Sequence, residues 1–267
     1  MARAGVPTAA YRSFTDEASC AAYVREVAGP CVVKVDGLAA GKGVIVAQTT
    51  EGALAGVHEC LSGAFGDAGA KVIVEELLEG PECSLLALTD GTTVVPLATS
   101  QDHKRALDGD RGPNTGGMGV YSPVPILLPG ELDRMVAIEQ RVVDQLRADG
   151  IAYSGCLYGG FMLTRGGPKV LEFNARFGDP ETQVVLPRMK ADLVECFLAC
   201  DEGTLCPDMV AWDDDWAVSV VLTSAGYPGA YEKGKPISGI DEANALPGVT
   251  VYHAGTALSS DGTVLTN

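Results

Sequence analysis

Between two β-branched runs the chain reads Lys34-Val-Asp-Gly37-Leu-Ala-Ala-Gly41-Lys42-Gly43. Residues without bulk let a backbone approach phosphate oxygens, and successive N–H groups form an anion nest. Lys34 and Lys42 add point charges to it. The spacing is not that of a Walker A loop: Gly37 and Gly41 are too close, and Gly43 follows Lys42 where Ser or Thr would stand. The segment therefore reads as a hairpin flap that closes over a nucleotide, or as an ordinary Gly-rich turn. A second cluster, Glu75-Glu76-Leu77-Leu78-Glu79-Gly-Pro-Glu82, is a strand running into a Gly-Pro hinge. Backbone groups at such a hinge can face an adenine edge while a carboxylate holds ribose hydroxyls. Acidic residues beside a turn are equally at home in solvent.

The third cluster is Leu-Glu172-Phe-Asn174-Ala-Arg176-Phe-Gly-Asp179. On a strand, residues two apart face the same way, so Glu172 and Asn174 offer oxygens on one side while Phe173 faces the core. Hard oxygen donors with no Cys or His suit Mg²⁺ shared with ATP phosphates. Arg176 follows where phosphoryl charge would develop. A polar strand end is the plainer reading, although an acid and an amide on an apolar strand need partners. The fourth cluster joins Asp102-His103-Lys104-Arg105 to Asn114-Thr115-Gly116-Gly117. Basic side chains beside a loop dense in N–H donors look like a second anion pocket, and His103 alone would more often be structural.

The elements that must position these groups follow from periodicity. Helical patterns behind Ser, Thr or Asp caps start near Thr15 and at Thr50, the latter ending at Leu61. Strands are expected at Pro30–Val35, Gly43–Ala47, Lys71–Glu76 and Glu82–Leu88, with Asp90-Gly91 turning into Thr93–Leu97. Residues 100–130 carry no hydrophobic period and are expected to be a long functional loop. A helix over Glu131–Asp149, strands at Tyr158–Leu163 and Lys169–Phe173, a helix over Ala191–Cys200 and a strand at Trp216–Leu222 complete the pattern.

Composition bounds the function. The 267 residues carry a formal charge of -16 with only 19 Lys and Arg. That field repels polyphosphate backbones, which argues against a nucleic-acid partner, and it confines any nucleotide site to a local basic cluster. No apolar run reaches the roughly 18 residues of a membrane span, and no secretory leader pattern opens the chain. The eight Cys residues contain no CxxC pair, and the three His residues have no zinc spacing. Reduced core thiols and a cytoplasmic setting are expected.

In this order, flap Lys, Glu-Glu hinge and Glu-x-Asn strand closely resemble the ATP-grasp superfamily. The stretches Asp36 to Val44, Ala98 to Arg105, Gly112 to Gly119 and Asn174 to Gln183 further resemble the phosphoribosylamine–glycine ligase (glycinamide ribonucleotide synthetase) family, from about residue 5 onward. The resemblance implies an α+β ATP-grasp fold, two subdomains clamping ATP, followed by a partial, β-rich C-terminal domain. Its expected division is a stub at 1–8, a flap subdomain at 9–78, a large subdomain at 79–208 and the partial domain at 209–267. It also implies chain ends cut within the family's pattern, with an N-terminal sugar-phosphate domain and further C-terminal strands lying outside. The implied reaction joins glycine to 5-phosphoribosylamine through glycyl phosphate. ATP would contact Lys34, Gly37, Gly41, Lys42, Gly43, Glu75, Glu76, Leu77, Leu78 and Glu82. Glu172 and Asn174 would hold Mg²⁺ or Mn²⁺, and Asp102–Arg105 with Asn114–Gly117 would hold the substrates. Lys104, Arg176 and Asp179 are the expected catalytic side chains. A nucleotide-binding module without turnover and another ATP-grasp ligase are the competing readings.

Overall fold

The structure, a computed structural model, describes residues 1–37 and 43–267. Gly41 and Lys42 of the expected flap therefore lie outside the described residues.

The first layer is a four-stranded antiparallel sheet in the order β1-β4-β2-β3. Its strands are β1 (Tyr11–Phe14), β2 (Cys31–Val35), β3 (Val44–Ala47) and β4 (Val72–Glu76). Two helices cover it, α1 (Glu17–Val27) and α2 (Thr50–Leu61). Each begins where a side chain satisfies an orphan amide: Asp16 accepts from Ser19 N–H, and Thr49 from Gly52 N–H. Along α2 the buried positions are Ala53, Gly56, Val57 and Cys60, the i, i+3, i+4, i+7 stripe of a one-faced helix. Gly56 lets α2 lie close on β3, since a Cβ there would sit 3.1 Å from Ile45 Cγ2. Val24, Val33, Val57, Val72 and Val74 close this core, and full burial of each stabilises by about 1.5–3 kcal/mol.

The second sheet, in the order β12-β11-β5-β6, is also antiparallel. It contains β5 (Glu82–Thr89), β6 (Val94–Pro96), β11 (Gly155–Thr164) and β12 (Gly167–Asn174). The helix α3 (Glu131–Ala148) packs Met135, Ile138 and Val143 onto one face. On another side Leu86, Leu88 and Tyr158 meet α4 (Thr182–Val185) and α5 (Leu193–Glu202). Residues 7–10 run between the two sheets: Val170 N–H donates to the Pro7 carbonyl, and Glu76 N–H to the Ala10 carbonyl.

Residues 100–130 differ from the patternless loop expected there. They contain β7 (Gln101–Asp102), β8 (Arg105–Leu107), β9 (Arg111–Asn114) and β10 (Gly119–Ser122). Strands of two to four residues are too short to display a period of two, and β7 and β10 pair across an intervening hairpin. β13 (Ala217–Val220) adds to β10, giving the order β13-β10-β7; it is shorter than the Trp216–Leu222 strand expected. Beyond it come α6 (Ile240–Asn244), β14 (Thr256–Leu258) and β15 (Val264–Thr266). Six of the eight Cys side chains are buried as free thiols, and burial pushes the Cys83 thiol up to about 12. Among the described residues no helix is long and apolar enough to cross a membrane.

Candidate functional site

Contacts at β2, β4, β5 and β12 join members of the first, second and fourth clusters in pairs and bring Lys104 into the field of Glu172 from the third. Lys34 on β2 and Glu75 on β4 form an ion pair of 2.7 Å, both half-buried. The next carboxylate, Glu76, accepts from Ala10 N–H at 3.2 Å and from Lys169 Nζ of β12 at 3.2 Å. The backbone bond, and then Lys169, hold its pKa below the usual carboxylate range. One strand of the flap layer is thereby tied to the strand that carries Glu172. Leu78 is buried at the hinge, and Gly80 adopts a φ of 151° against the Leu163 carbonyl, where no Cβ fits.

Glu82, first residue of β5, meets Lys104 Nζ at 3.0 Å. Burial opposes the Lys104 charge, but the carboxylates of Glu82, Glu172 and Asp102 outweigh it and raise its pKa. Lys104 thus stands among carboxylates drawn from the hinge and from β12, within the field of Glu172. Glu172 and Asn174 do share a face, and Asn174 Nδ2 lies 3.4 Å from Glu172 Oε1.

A bulge in β12 sets that face. Gly160 pairs with Glu172, but Phe161 pairs with Val170, so Leu171 is an extra residue. Val170 and Phe173, three apart, both pack inward, and Glu172 is exposed. In an unbulged strand of the same sequence, Glu172 would share the face of Val170. Among the described residues no three His, Cys, Asp or Glu side chains converge as a metal cage. Two oxygen donors at a strand end instead fit a hard cation that takes its other oxygens from a nucleotide and water.

The 102–119 segment is a bonded hairpin rather than an open cradle of amides. Thr115 N–H and hydroxyl both donate to the Lys104 carbonyl, Met118 N–H to the His103 carbonyl, and Gly117 N–H to Thr115 Oγ1. Gly116 N–H donates to Tyr227 Oη at 3.2 Å. Arg105 is turned inward and donates to the Gly112 carbonyl at 2.8 Å. His103 and Asn114 remain exposed. Asp102 is buried, and the negative charge of Glu181 adds to burial in raising its pKa to about 7.

Among the described residues, no hydrogen bond or ion pair joins Arg176 or Asp179 to Glu172 or Lys104. The Arg176 guanidinium is exposed and donates to the Phe177 carbonyl at 2.9 Å. Asp179 accepts from Gln183 Nε2 at 2.6 Å and lines a cleft of about 600 Å³ with Gln183, Tyr252 and His253. Tyr252 and His253 carried no sequence signal, because only the tertiary fold brings residues so distant in the chain to this bend. Also missed was a buried polar knot: Tyr158 Oη and Ser84 Oγ donate to Glu181 Oε1 at 2.9 and 3.1 Å. Its signal was Ser84 inside the otherwise apolar run of β5, since a buried hydroxyl implies a partner.

Comparison with known proteins gives the same picture. Residues 1–182 match the model of the phosphoribosylglycinamide synthetase ATP-grasp (A) domain, and residues 217–267 that of the C domain. The chain is 50% identical over 270 residues to the phosphoribosylamine–glycine ligase of Escherichia coli, covering all of this chain and 63% of that protein. It is 52% identical over 271 residues to the trifunctional purine biosynthetic protein adenosine-3 of Bos taurus, covering all of this chain and 27% of that one. A crystal structure of phosphoribosylamine–glycine ligase from Thermotoga maritima superposes with a TM-score of 0.87 at 34% identity, over all of this chain and 66% of that chain. The chain thus spans less than two thirds of the length of the ligases it matches.

Proposed function

The chain belongs to the phosphoribosylglycinamide synthetase family and has its ATP-grasp fold, and from that premise we propose that it works in the ATP-dependent ligation of glycine to 5-phosphoribosylamine. The observation that carries this reading is the run of contacts Lys34–Glu75, Glu76–Lys169 and Glu82–Lys104, which ends in the field of Glu172. It supports the reading because it includes groups of the kinds a phosphoryl transfer needs: cations, a hinge and hard oxygen donors. We assign the nucleotide to the cleft between a flap subdomain at 9–78 and a large subdomain at 79–208, with 209–267 as a third part.

In the proposed reaction a glycine carboxylate oxygen attacks the γ-phosphorus of ATP, and the bond to the β-bridging oxygen breaks to release ADP. The amine of 5-phosphoribosylamine then attacks the carbonyl carbon of glycyl phosphate. Phosphate leaves with its electron pair, the nitrogen loses a proton and an amide remains. The chain's residues act by position and charge. Lys34 and Lys42 would neutralise phosphate oxygens, and Glu75 to Leu78 with Glu82 would hold the nucleoside. Lys104 would face the transferring group, and Arg176 would meet charge that grows towards the transition state. Glu172 and Asn174 would hold Mg²⁺ or Mn²⁺, which supplies charge neutralisation of the phosphates when bound. The Asp102–Arg105 and Asn114–Gly117 segments, with Asp179, would form the wall facing the phosphorylated amine. Unpaired, mostly buried thiols support a cytoplasmic setting for this small-molecule chemistry.

The test is ADP release from Mg·ATP with glycine and 5-phosphoribosylamine added separately and together. The proposal expects release that requires both substrates for sustained turnover and an amide product. Magnesium-dependent ATP binding with no glycine-dependent release would leave a nucleotide-binding module without ligase turnover.

A further inference from the structure

Two acidic side chains are buried on either side of Gly117 and Pro180, behind the proposed substrate-side wall, and among the described residues neither forms an ion pair. Glu181, 3% exposed, receives the hydroxyls of Tyr158 and Ser84 on one oxygen. Its other oxygen fills the space in which Gly178 lacks a Cβ. Asp102, 9% exposed, has an Oδ1 that is fully buried and makes no hydrogen bond. Gly117 is wedged between the two acids' segments. A Cβ there would lie 2.7 Å from Asp102 Oδ1 and 2.5 Å from Pro180 Cδ, and its φ of 129° is open only to glycine. The wall of the site is thus a stack of Asp102, Gly117, Pro180 and Glu181, drawn from β7, the hairpin after it and the bend before α4.

The charged groups around this stack leave the pair short of one positive charge. Lys104, two residues after Asp102, lowers the Asp102 pKa in part, but it is held 3.0 Å from Glu82 of β5 and is shared with Glu172 of β12. Glu82 adds negative charge at Asp102, and the Tyr158 phenol on β11 is kept neutral by burial and by Glu181. Two carboxylates so placed cannot both ionise without pushing their segments apart. We propose that Asp102 and Glu181 form a one-proton carboxyl pair, which latches the 112–119 hairpin onto the Gly178–Glu181 bend and so assembles the substrate-side wall. Asp102 is in this sense a positioning residue, acting through Gly117 and Pro180. Desolvation and the Glu181 charge, which raise the Asp102 pKa to about 7, put the proton on Asp102. The latch is then closed in mildly acid to neutral solution and loosened above it.

The sign for stability follows. A carboxyl whose folded pKa lies above its unfolded value of 3.8 contributes stability that is complete below that value and is lost as pH rises towards about 7. The experiment is a carboxyl ¹³C NMR titration of the aspartate-labelled protein, with the resonance assigned by Asp102→Asn. One aspartate should titrate near neutrality, and Glu181→Gln, which keeps an acceptor for Tyr158 and Ser84, should lower its midpoint by a unit or more, about tenfold in proton affinity. The melting temperature of Asp102→Asn relative to wild type should rise between about pH 5 and about pH 8. An Asp102 resonance that titrates with the surface aspartates, or that ignores Glu181→Gln, overturns the proposal. These readouts need no ligase activity, so they stand apart from the proposed reaction. Where glycine-dependent ADP release is measurable, its fall above neutral pH should disappear in Asp102→Asn, and a fall that persists unchanged would contradict the latch.

Discussion

At the scale of single residues, the metal role proposed for Glu172 and Asn174 would cost the fold little. Both lie on a strand end and touch each other weakly, at 3.4 Å, so neither is needed to satisfy a buried group. Glu172→Gln and Asn174→Ala should each weaken Mg·ATP binding by about tenfold or more, or about 1.4 kcal/mol. Each should change unfolding free energy by less than about 1 kcal/mol. Calorimetric titration and thermal melting of the same samples check this; loss of folding with unchanged nucleotide affinity would remove both residues from the metal site. Glu139 is the opposite case. It is fully buried on α3, neither carboxyl oxygen has a hydrogen-bond partner, and desolvation outweighs the nearby Gly159 N–H to raise its pKa well above the usual range. Stability from its protonated form is lost as pH rises towards that folded pKa. Glu139→Met, an unbranched apolar replacement, should therefore stabilise by about 1–3 kcal/mol, and by more at alkaline than at acid pH. Denaturant melts at the two pH values decide it, and a destabilised variant at both would mean that the carboxyl has a partner after all.

At the scale of elements, β12 shows what was legible and what was not. Alternation placed Glu172 and Asn174 on one face and Phe173 on the other, and the structure has them so. The bulge at Leu171 was invisible, because an extra residue appears only against a partner strand, here β11. Deleting Leu171 should restore plain alternation, with Val170 and Phe173 still on the core face and Glu172 still on the other, at a cost of about 1 kcal/mol. A deletion variant that fails to fold would show that Leu171 itself, and not the alternation on either side of it, holds the strand in place. The helices α2 and α3 were legible to within a residue or so, since caps and a 3.6-residue period are local. The β7–β10 region was not. Its order comes from cross-chain bonds such as those between Lys104 and Thr115, and Gly, Pro, Asp and Asn in its sequence read only as loop. In the same way the Asp102–Arg105 and Asn114–Gly117 segments do come together in one hairpin, but the spending of their amides on the hairpin itself was not legible.

At the scale of the whole molecule, a buried arginine ties the segment at Asp213–Asp215 to the body that carries β10. Arg188 donates to the Asp215 and Asp213 carbonyls at 2.7 and 2.8 Å and to Ser122 Oγ at 2.9 Å. Arg188→Ala would strand these acceptors and should cost about 2–4 kcal/mol, with proteolysis rising first beyond residue 209. An unchanged protease pattern would mean that β10–β13 pairing alone secures that part. The proposed chemistry joins all three scales, since the proposed nucleotide grip, metal-facing strand and substrate wall would come from different layers and be useful only together. Isotope transfer tests it most directly. With glycine labelled by ¹⁸O in its carboxylate, ligation through glycyl phosphate should move one labelled oxygen into each inorganic phosphate released. Phosphate carrying no label, with ADP still formed, would contradict it, because ATP would then be cleaved without activating the carboxylate.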